Sequence, residues 1–280
     1  MMKKLKVALL IIDPDNDFVD SSGTLSVPGA DSAMRKLSSW IENSESRVDA
    51  IYASQDAHNI THIGHPWFWK NTNNPNKPVT EVNYDDIVTR KIVPRFISEN
   101  SCEYDEVIDY MLYLHKEGKK HNIWPIHSIE GSWGQAFPSY LSKALDQWTL
   151  NNSGRRWTII RKGQVDLREM FSIFTYSFPL FNEVGPNETL KYLGILGNYY
   201  DKILITGQAK DYCVAESVRD MIDPELSEGV FKDKLIFIKD ALPVIDENNP
   251  SLKIYEEAVK NHGAKELMLS EVTMYLNSLE

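Results

Sequence analysis

Cysteine is scarce in this sequence, and so is positive charge. Cys102 and Cys213 are the only cysteines among the 280 residues, and their different contexts exclude a structural disulfide framework. A reducing, cytoplasmic location is therefore expected. Lysine and arginine number 30 against 40 aspartates and glutamates, which gives a formal charge of −10. Because such a chain repels phosphate backbones and anionic lipids, we expect neither nucleic acid nor a membrane among its partners.

Long apolar runs are also missing. The opening MMKKLKVALLII has the basic start and apolar core of a signal peptide, but IIDPDNDF follows where a small-residue cleavage site would be needed. Charged residues interrupt every apolar run within about ten positions, whereas a membrane helix needs roughly 20. We therefore interpret the opening run as a buried first strand of a soluble protein.

Short apolar runs recur along the chain and alternate with helical patterns. They are KVALLII, VDAIYAS, WTIIR, KILITG and KLIFI, with LMLSEV as a weaker sixth. Continuously apolar, β-branched runs of this kind are typical of buried parallel strands in alternating βα units. The pattern predicts an α/β fold with a doubly wound, mostly parallel six-stranded sheet and helices on both faces.

One segment interrupts this alternation. We expect residues 1–280 to form a single domain with an insertion at about 70–121, which opens with the Asn- and Pro-rich NTNNPNKPVTE. Within it, DEVIDYMLYLHKEG predicts one further helix. His115 and His121 lie in this polar segment and are expected to be exposed.

Reactive side chains occur where the apolar runs end. In an open parallel sheet, ligands bind outside the carboxyl ends of the strands. The residues found there, strand by strand, are Asp13, then Asp56 and His58, then Lys162, and finally Cys213. Taken singly, a turn aspartate, a solvated lysine or a core cysteine would explain each of them, but their convergence favours a nucleophile with a proton carrier and a cation. A helix N-terminus and a nearby lysine would lower the pKa of the Cys213 thiol, and the Gly207 turn can offer backbone N–H groups to an oxyanion.

The histidines suggest a metal site. Asp56 and His58 are two positions apart in an extended segment, so both side chains point to the same side, as ligands of one ion must. The Gly- and Trp-rich loop WPIHSIEGSWG supplies His127 as a third ligand. His62 and His65 remain open between a structural role and a role as a fourth ligand or as support for the ligands.

These segments resemble the isochorismatase-like cysteine hydrolases, and within them the nicotinamidase (pyrazinamidase) branch. LLIIDPDNDFVDSSGTLSVPGA is similar to the opening motif, SQDAHNITHIGH and WPIHSIEGSWGQAF to the metal-binding elements, RKGQVDLREMFSIF to the lysine-bearing strand, and GQAKDYCVAESV to the nucleophile motif. The resemblance implies hydrolysis of nicotinamide to nicotinic acid and ammonia through a cysteine thioester.

The resemblance also implies a role for individual residues. Asp13, Lys162 and Cys213 would be catalytic, and the backbone N–H groups of Ala209 and Cys213 would form the oxyanion hole, with a cis peptide bond before Ala209. The residues expected to hold the substrate ring are Phe18, Trp124 and Phe174. A metal at Asp56, His58 and His127 would orient that ring; Zn²⁺ is expected first, with Mn²⁺ and Fe²⁺ as alternatives. The sequence leaves open whether the protein forms a homo-oligomer.

Three residues depart from the family pattern. Ser128 stands where a cysteine usually follows the metal histidine, and Gln208 and Lys210 replace the usual aliphatic and threonine residues beside the nucleophile. These changes keep an alternative open, a cysteine amidohydrolase of another small amide such as a ureido or carbamoyl compound. A catalytically silent small-molecule binding protein is a further alternative, against which the intact Asp, Lys and Cys set argues.

Overall fold

A parallel sheet forms the centre of the molecule. The computed structural model describes residues 5–43, 47–178 and 188–280. The strands, in chain order, are β1 (Val7–Ile12), β2 (Ala50–Asp56), β3 (Trp69–Asn71), β4 (Glu81–Val82), β5 (Ile92–Pro94), β6 (His121–Asn122), β7 (Thr158–Lys162), β8 (Lys202–Gly207), β9 (Leu235–Ile238) and β10 (Lys265–Leu267). Six of them form one sheet in the order β10-β9-β8-β1-β2-β7, and every neighbouring pair is parallel.

Helices cover both faces of this sheet. They are α1 (Asn16–Val19), α2 (Ala30–Asn43), α3 (Tyr84–Val88), α4 (Cys102–Lys116), α5 (Ser139–Asn151), α6 (Leu190–Tyr199), α7 (Ala215–Ile222), α8 (Pro224–Ser227), α9 (Lys253–His262) and α10 (Leu269–Asn277). Alternate residues of β1 pack into two separate clusters, one with α2, α5 and α10 and the other with α6, α7 and α9. Because β1 is buried on both faces, its sequence is continuously apolar. The predicted doubly wound, six-stranded α/β fold is confirmed.

The last predicted strand, LMLSEV, is placed wrongly along the chain. The structure has its last strand at Lys265–Leu267, and most of LMLSEV lies in α10. The backbone N–H of Leu269 donates to Asp240 Oδ1 (2.8 Å), which satisfies one of the free donors at the start of the helix. Leu269, Val272 and Leu276 are buried at helical spacing, so a period of three to four describes this segment better than an extended run.

The segment at about 70–121 has a hydrophobic cluster of its own. Two small antiparallel pairs, β3 with β5 and β4 with β6, accompany α4, the helix that the sequence predicts there. Residues from 63 to 123, together with Phe178, form a third cluster around Trp69, Tyr110 and Met111. The assignment of one domain with an insertion stays a prediction. Among the described residues, no helix is long and apolar enough to cross a membrane.

His121 was predicted to be exposed, and this prediction is wrong. Its side chain is buried, with ring Nε2 2.9 Å from the carbonyl oxygen of Ile63. The rings of Trp69 and Tyr110 lie 5.9 and 5.6 Å away. A histidine can be buried when one nitrogen finds a backbone acceptor and the ring packs against aromatic neighbours. His115 is exposed, as predicted.

Candidate active site

Four predicted residues meet at the carboxyl edge of the sheet. Strands β1, β2, β7 and β8 are adjacent and parallel, so their carboxyl ends lie side by side. Asp13 follows β1, while Asp56 and Lys162 are the last residues of β2 and β7. Cys213 lies in a π-helical turn, Lys210–Val214, between β8 and α7. All four side chains are buried, so the convergence predicted from the sequence is present in the structure.

Lys162 is the centre of this group. Its Nζ atom lies 3.1 Å from Asp13 Oδ2 and 3.0 Å from Asp56 Oδ1, and it is 3.7 Å from Cys213 Sγ. It also donates to the carbonyl oxygen of Met170 at 2.9 Å. Burial opposes the charge of this ammonium group, but the two carboxylates outweigh burial and raise the pKa of Lys162 well above its ordinary value. Lys162 is therefore a cation among two carboxylates and a thiol.

Two hydrogen bonds with Ser54 of β2 hold Asp13 in place. Its N–H donates to Ser54 Oγ (2.9 Å), and that hydroxyl donates to Asp13 Oδ1 (2.6 Å). The backbone of Asp13 has φ +44°, the left-handed region, which a non-glycine residue rarely occupies. The carboxylate is therefore fixed toward Lys162.

Burial dominates the acid–base chemistry of this pair. It raises the pKa of Asp13, with Lys162 acting in the opposite direction. Burial likewise raises the pKa of the Cys213 thiol well above its ordinary value, and Lys162 only partly offsets this. The sequence had predicted a lowered thiol pKa, so that prediction is wrong in direction. A thiol that holds its proton needs a base beside it, and a carboxyl group with a raised pKa suits that task.

The turn before Cys213 has the backbone form that the resemblance implies. The peptide bond between Gln208 and Ala209 is cis. Ala209 and Cys213 both line the cavity at this edge of the sheet. The Asp211 carboxylate fixes the turn from outside by accepting the N–H groups of Ile245 (3.0 Å) and Asp246 (2.9 Å).

Asp56, His58 and His127 form a group that can hold a divalent metal ion. All three are buried, and one ligand atom from each lies within 4.8 Å of the others. Asp56 Oδ2 is 3.2 Å from His58 Nε2 and 3.9 Å from His127 Nε2. Nδ1 of His58 faces the carbonyl oxygen of Gly163 (2.9 Å), and Nδ1 of His127 faces that of Pro125 (2.7 Å). If Nδ1 donates in both rings, each Nε2 is available to bind a metal ion beside Asp56, as metal ligands require.

Asp56 contacts both the metal-binding histidines and Lys162. Its Oδ2 faces the histidines and its Oδ1 faces Lys162. Burial works to raise the pKa of Asp56, but His58 and Lys162 outweigh it and hold that pKa well below its ordinary range. Asp56 is thus an anion that can bind a cation on one side while it pairs with Lys162 on the other.

His62 and His65 support the metal group without belonging to it. Nε2 of His62 lies 3.0 Å from the carbonyl oxygen of Arg168, and its Nδ1 accepts the N–H of Gly64 at 3.1 Å, so both ring nitrogens are occupied. Its ring packs against that of His58, with centroids 4.1 Å apart. His65 lies 3.3 Å from His127, ring nitrogen to ring nitrogen. Of the roles left open for His62, the contacts favour support of His58 over a fourth ligand.

A small cavity of about 40 Å³ opens onto these groups. Phe18 and Trp124, which were predicted to hold the substrate ring, both line it. Phe174 lies fully buried in the hydrophobic core, whereas Phe171 of the same segment lines the cavity. In this structure Phe171, three positions before Phe174, is therefore the aromatic residue of this segment that reaches the cavity. Among the other lining residues are Asp56, His58, His127, Lys162, Glu169, Gln208 and Cys213.

Several residues that support the site are not indicated by any motif in the sequence. Asp15 is fully buried, and its Oδ2 accepts both the N–H of Asp56 (2.9 Å) and the hydroxyl of Ser128 (3.0 Å). Asp17 Oδ2 accepts the N–H of Ser128 at 2.7 Å. The three aspartates of DPDND could have signalled this, because charged residues so close to a buried strand must face polar partners. Ser128, one of the family departures, is thus the residue that ties the His127 loop to the end of β1.

Lys210, another departure, lies away from the cavity. Its Nζ is 4.7 Å from the centre of the Tyr255 ring, and it is not among the residues that line the cavity. Gln208 does line the cavity. Only one of the two changes beside the nucleophile therefore reaches the site.

Known proteins share this architecture. The nicotinamidase of Saccharomyces cerevisiae is 23% identical over 247 residues, which cover 88% of this chain and 95% of that protein. The structure of an Acinetobacter baumanii nicotinamidase/pyrazinamidase matches with a TM-score of 0.58 at 20% identity, over 97% of this chain and 100% of that one. A Pyrococcus horikoshii pyrazinamidase in complex with zinc matches with a TM-score of 0.53 at 19% identity, over 94% of this chain and 99% of that one. No family model matches the chain.

The fold and the site are similar to those of the isochorismatase-like cysteine hydrolases, and the resemblance drawn from the sequence is confirmed. Within that class, the similarity lies with the nicotinamidases.

Proposed function

We propose that this protein is a nicotinamidase, which hydrolyses nicotinamide to nicotinic acid and ammonia and so serves NAD salvage. The observation that carries the proposal is the geometry around Lys162, which lies 3.7 Å from the Cys213 thiol and 3.0 Å from the metal-facing Asp56. A nucleophile and a group for binding a metal thus share one small cavity. The similarity to nicotinamidases and pyrazinamidases supports this substrate class.

In this proposal, Asp13 takes the proton of the Cys213 thiol, and the thiolate attacks the carboxamide carbon. The N–H groups of Ala209 and Cys213 hold the oxyanion. The tetrahedral intermediate collapses, the C–N bond breaks, and ammonia leaves with the proton from Asp13. Water, deprotonated by Asp13, then cleaves the thioester and releases the carboxylic acid and the thiol. Lys162 balances the negative charge throughout.

We further propose zinc as the metal at Asp56, His58 and His127. A carboxylate with two imidazoles suits Zn²⁺, Mn²⁺ or Fe²⁺, and the similarity to a pyrazinamidase in complex with zinc favours the first. When bound, the ion would act as a Lewis acid toward a ring nitrogen of the substrate. Phe18 and Trp124 line the cavity where that ring would lie, and Phe171 takes the place expected of Phe174.

Ammonia release from nicotinamide by the zinc-loaded protein tests the proposal. Cys213→Ala should reduce kcat by roughly 10⁴-fold or more, as loss of a nucleophile does elsewhere. Cys102→Ala is the matched control, because Cys102 is exposed on α4 and does not line the cavity, so its loss should leave kcat unchanged. Absence of turnover in protein shown to contain the metal would contradict the substrate assignment. Full activity in Cys213→Ala would contradict the mechanism.

A further inference from the structure

Gln208 occupies a position next to the reacting centre. It lies between Gly207, the last residue of β8, and Ala209, and its N–H donates to the carbonyl oxygen of Ile12 at 2.8 Å. Its side chain is fully buried, and the residue lines the cavity together with Ala209 and Cys213. Whatever Gln208 contacts in the cavity is therefore close to the carboxamide end of a bound substrate.

The side-chain amide of Gln208 lacks a partner within the protein. Both Oε1 and Nε2 are buried without a hydrogen bond to any described residue, and no other described side chain has two such atoms. Leaving buried donors and acceptors unpaired is costly, so native proteins pair nearly all of them with protein, water or ligand. Because Gln208 lines the cavity, a molecule bound there can supply the missing partner.

Two further cavity residues show the same pattern. Trp124 Nε1 and Glu169 Oε1 are buried and have no hydrogen-bond partner among the described residues, and both residues line the cavity. Much of the remaining lining is apolar, including Leu25, Val27 and Ile245. Few polar groups in a mostly apolar cavity fix the orientation of a ligand and set its specificity. The unpaired groups are therefore compatible with a ligand that has more hydrogen-bonding atoms than a single carboxamide.

We propose that Gln208 is a specificity-determining residue, whose side-chain amide donates a hydrogen bond to a ring atom ortho to the substrate carboxamide. This inference rests on the proposed amidase function and adds to it a preference for heteroaromatic carboxamides with an acceptor at that position over those that have C–H there. The location of Gln208 beside Ala209, which would bind the carboxamide oxygen, is the reason for the ortho position. The aliphatic residue that the family resemblance leads one to expect here offers no such donor.

Pyrazinamide and nicotinamide form a matched pair of probes. They have nearly the same size and the same carboxamide, and pyrazinamide has a second ring nitrogen ortho to the carboxamide where nicotinamide has C–H. A hydrogen bond to that nitrogen can be lost without a change in the fit of the ring. The ratio of kcat/KM for the two amides therefore isolates the contribution of Gln208.

The experiment compares this ratio in wild type, Gln208→Met and Gln208→Leu, all zinc-loaded. Both variants remove the amide at similar volume, and each should lower the pyrazinamide-to-nicotinamide ratio about tenfold, equivalent to about 1.4 kcal/mol. Most of the change should lie in KM for pyrazinamide, because the bond is made in ground state and transition state alike. Lys210→Thr, the other change beside the nucleophile, should keep the wild-type ratio because its side chain packs on Tyr255 outside the cavity.

The outcomes separate this inference from the proposed function. If nicotinamide is hydrolysed and the ratio stays within twofold of wild type in a variant with normal metal content, Gln208 is paired with water and the inference is overturned. An equal fall of the ratio in Lys210→Thr would overturn it as well. If the wild-type enzyme hydrolyses neither amide with metal bound, both the inference and the proposed function are overturned.

Discussion

Replacing Lys162 by methionine tests the electrostatic core of the site. The substitution keeps the length of the side chain but removes the cation, which is buried between Asp13 Oδ2 (3.1 Å) and Asp56 Oδ1 (3.0 Å). At an effective dielectric constant of about 20, a pair of charges at such a distance interacts with about 5 kcal/mol. Desolvation of the charges offsets much of this attraction, and removing one member of a buried pair typically costs about 3–5 kcal/mol. We expect the free energy of unfolding of Lys162→Met to fall by that amount.

Activity should fall as well, by roughly 10²–10⁴-fold in kcat, because the thiolate and Asp13 lose their cation. The double variant Lys162→Met/Asp13→Asn separates the two effects. It removes one uncompensated carboxylate, so it should regain about 1–2 kcal/mol of stability over the single variant while it stays inactive.

Chemical unfolding, at one fixed saturating zinc concentration, measures the stability of each variant, and ammonia release measures kcat. A loss below about 1 kcal/mol in Lys162→Met would refute the reasoning, because the carboxylates would then not depend on this cation. The same holds if Asp13→Asn destabilises the Lys162→Met protein further.

Three other predictions concern the histidines and their surroundings. His58→Ala should weaken zinc binding more than about 100-fold, and His62→Ala only about tenfold, because His62 supports a ligand without being one. Competition with a chelator measures both affinities. Equal losses of affinity in the two variants would contradict this distinction. Gly163→Ala should also weaken zinc binding by at least tenfold, because a Cβ at φ +74° would lie 2.5 Å from His58 Cε1 and 2.7 Å from Asp56 Oδ1; unchanged metal content would contradict it. Burial lowers the pKa of His121 to about 4 in the folded protein, whereas a histidine in the unfolded chain has a pKa near 6.5. Between these two pH values the unfolded chain binds more protons, so the stability of the fold falls as the pH drops from 6.5 to 4. This group accounts for about 3 kcal/mol, a pH-dependent loss that should be missing from His121→Gln in unfolding curves at pH 7 and pH 4.5.

Two features of the sequence, the apolar runs with their ends and the spacing of Asp56 and His58, predicted much of the site. A continuously apolar run such as β1 can be satisfied only by burial on both faces, which requires a parallel sheet with helices on either side. Parallel strands bring their carboxyl ends to one edge, so Asp13, Asp56, Lys162 and Cys213 had to converge there. The spacing of two between Asp56 and His58 directed both ligands to the same side.

Other features depended on contacts that no local pattern records. His121 lies in a polar segment, yet a backbone acceptor at Ile63 and two aromatic rings bury it. His62 and His58 look alike in sequence, and only their partners show that both nitrogens of His62 are occupied. The pKa of the Cys213 thiol rises because burial outweighs Lys162, a balance that neighbouring residues in the chain do not reveal.

The sequence by itself therefore determined the fold class, the edge of the sheet that carries the chemistry, and most of the reactive residues, because periodicity and strand ends are local properties. Only the tertiary structure decided which aromatic residue reaches the cavity, Phe171 and not Phe174, and that Gln208 reaches it while Lys210 packs on Tyr255. Such choices follow from the packing of segments far apart in the chain, and burial and hydrogen-bond pairing are set only once those segments meet.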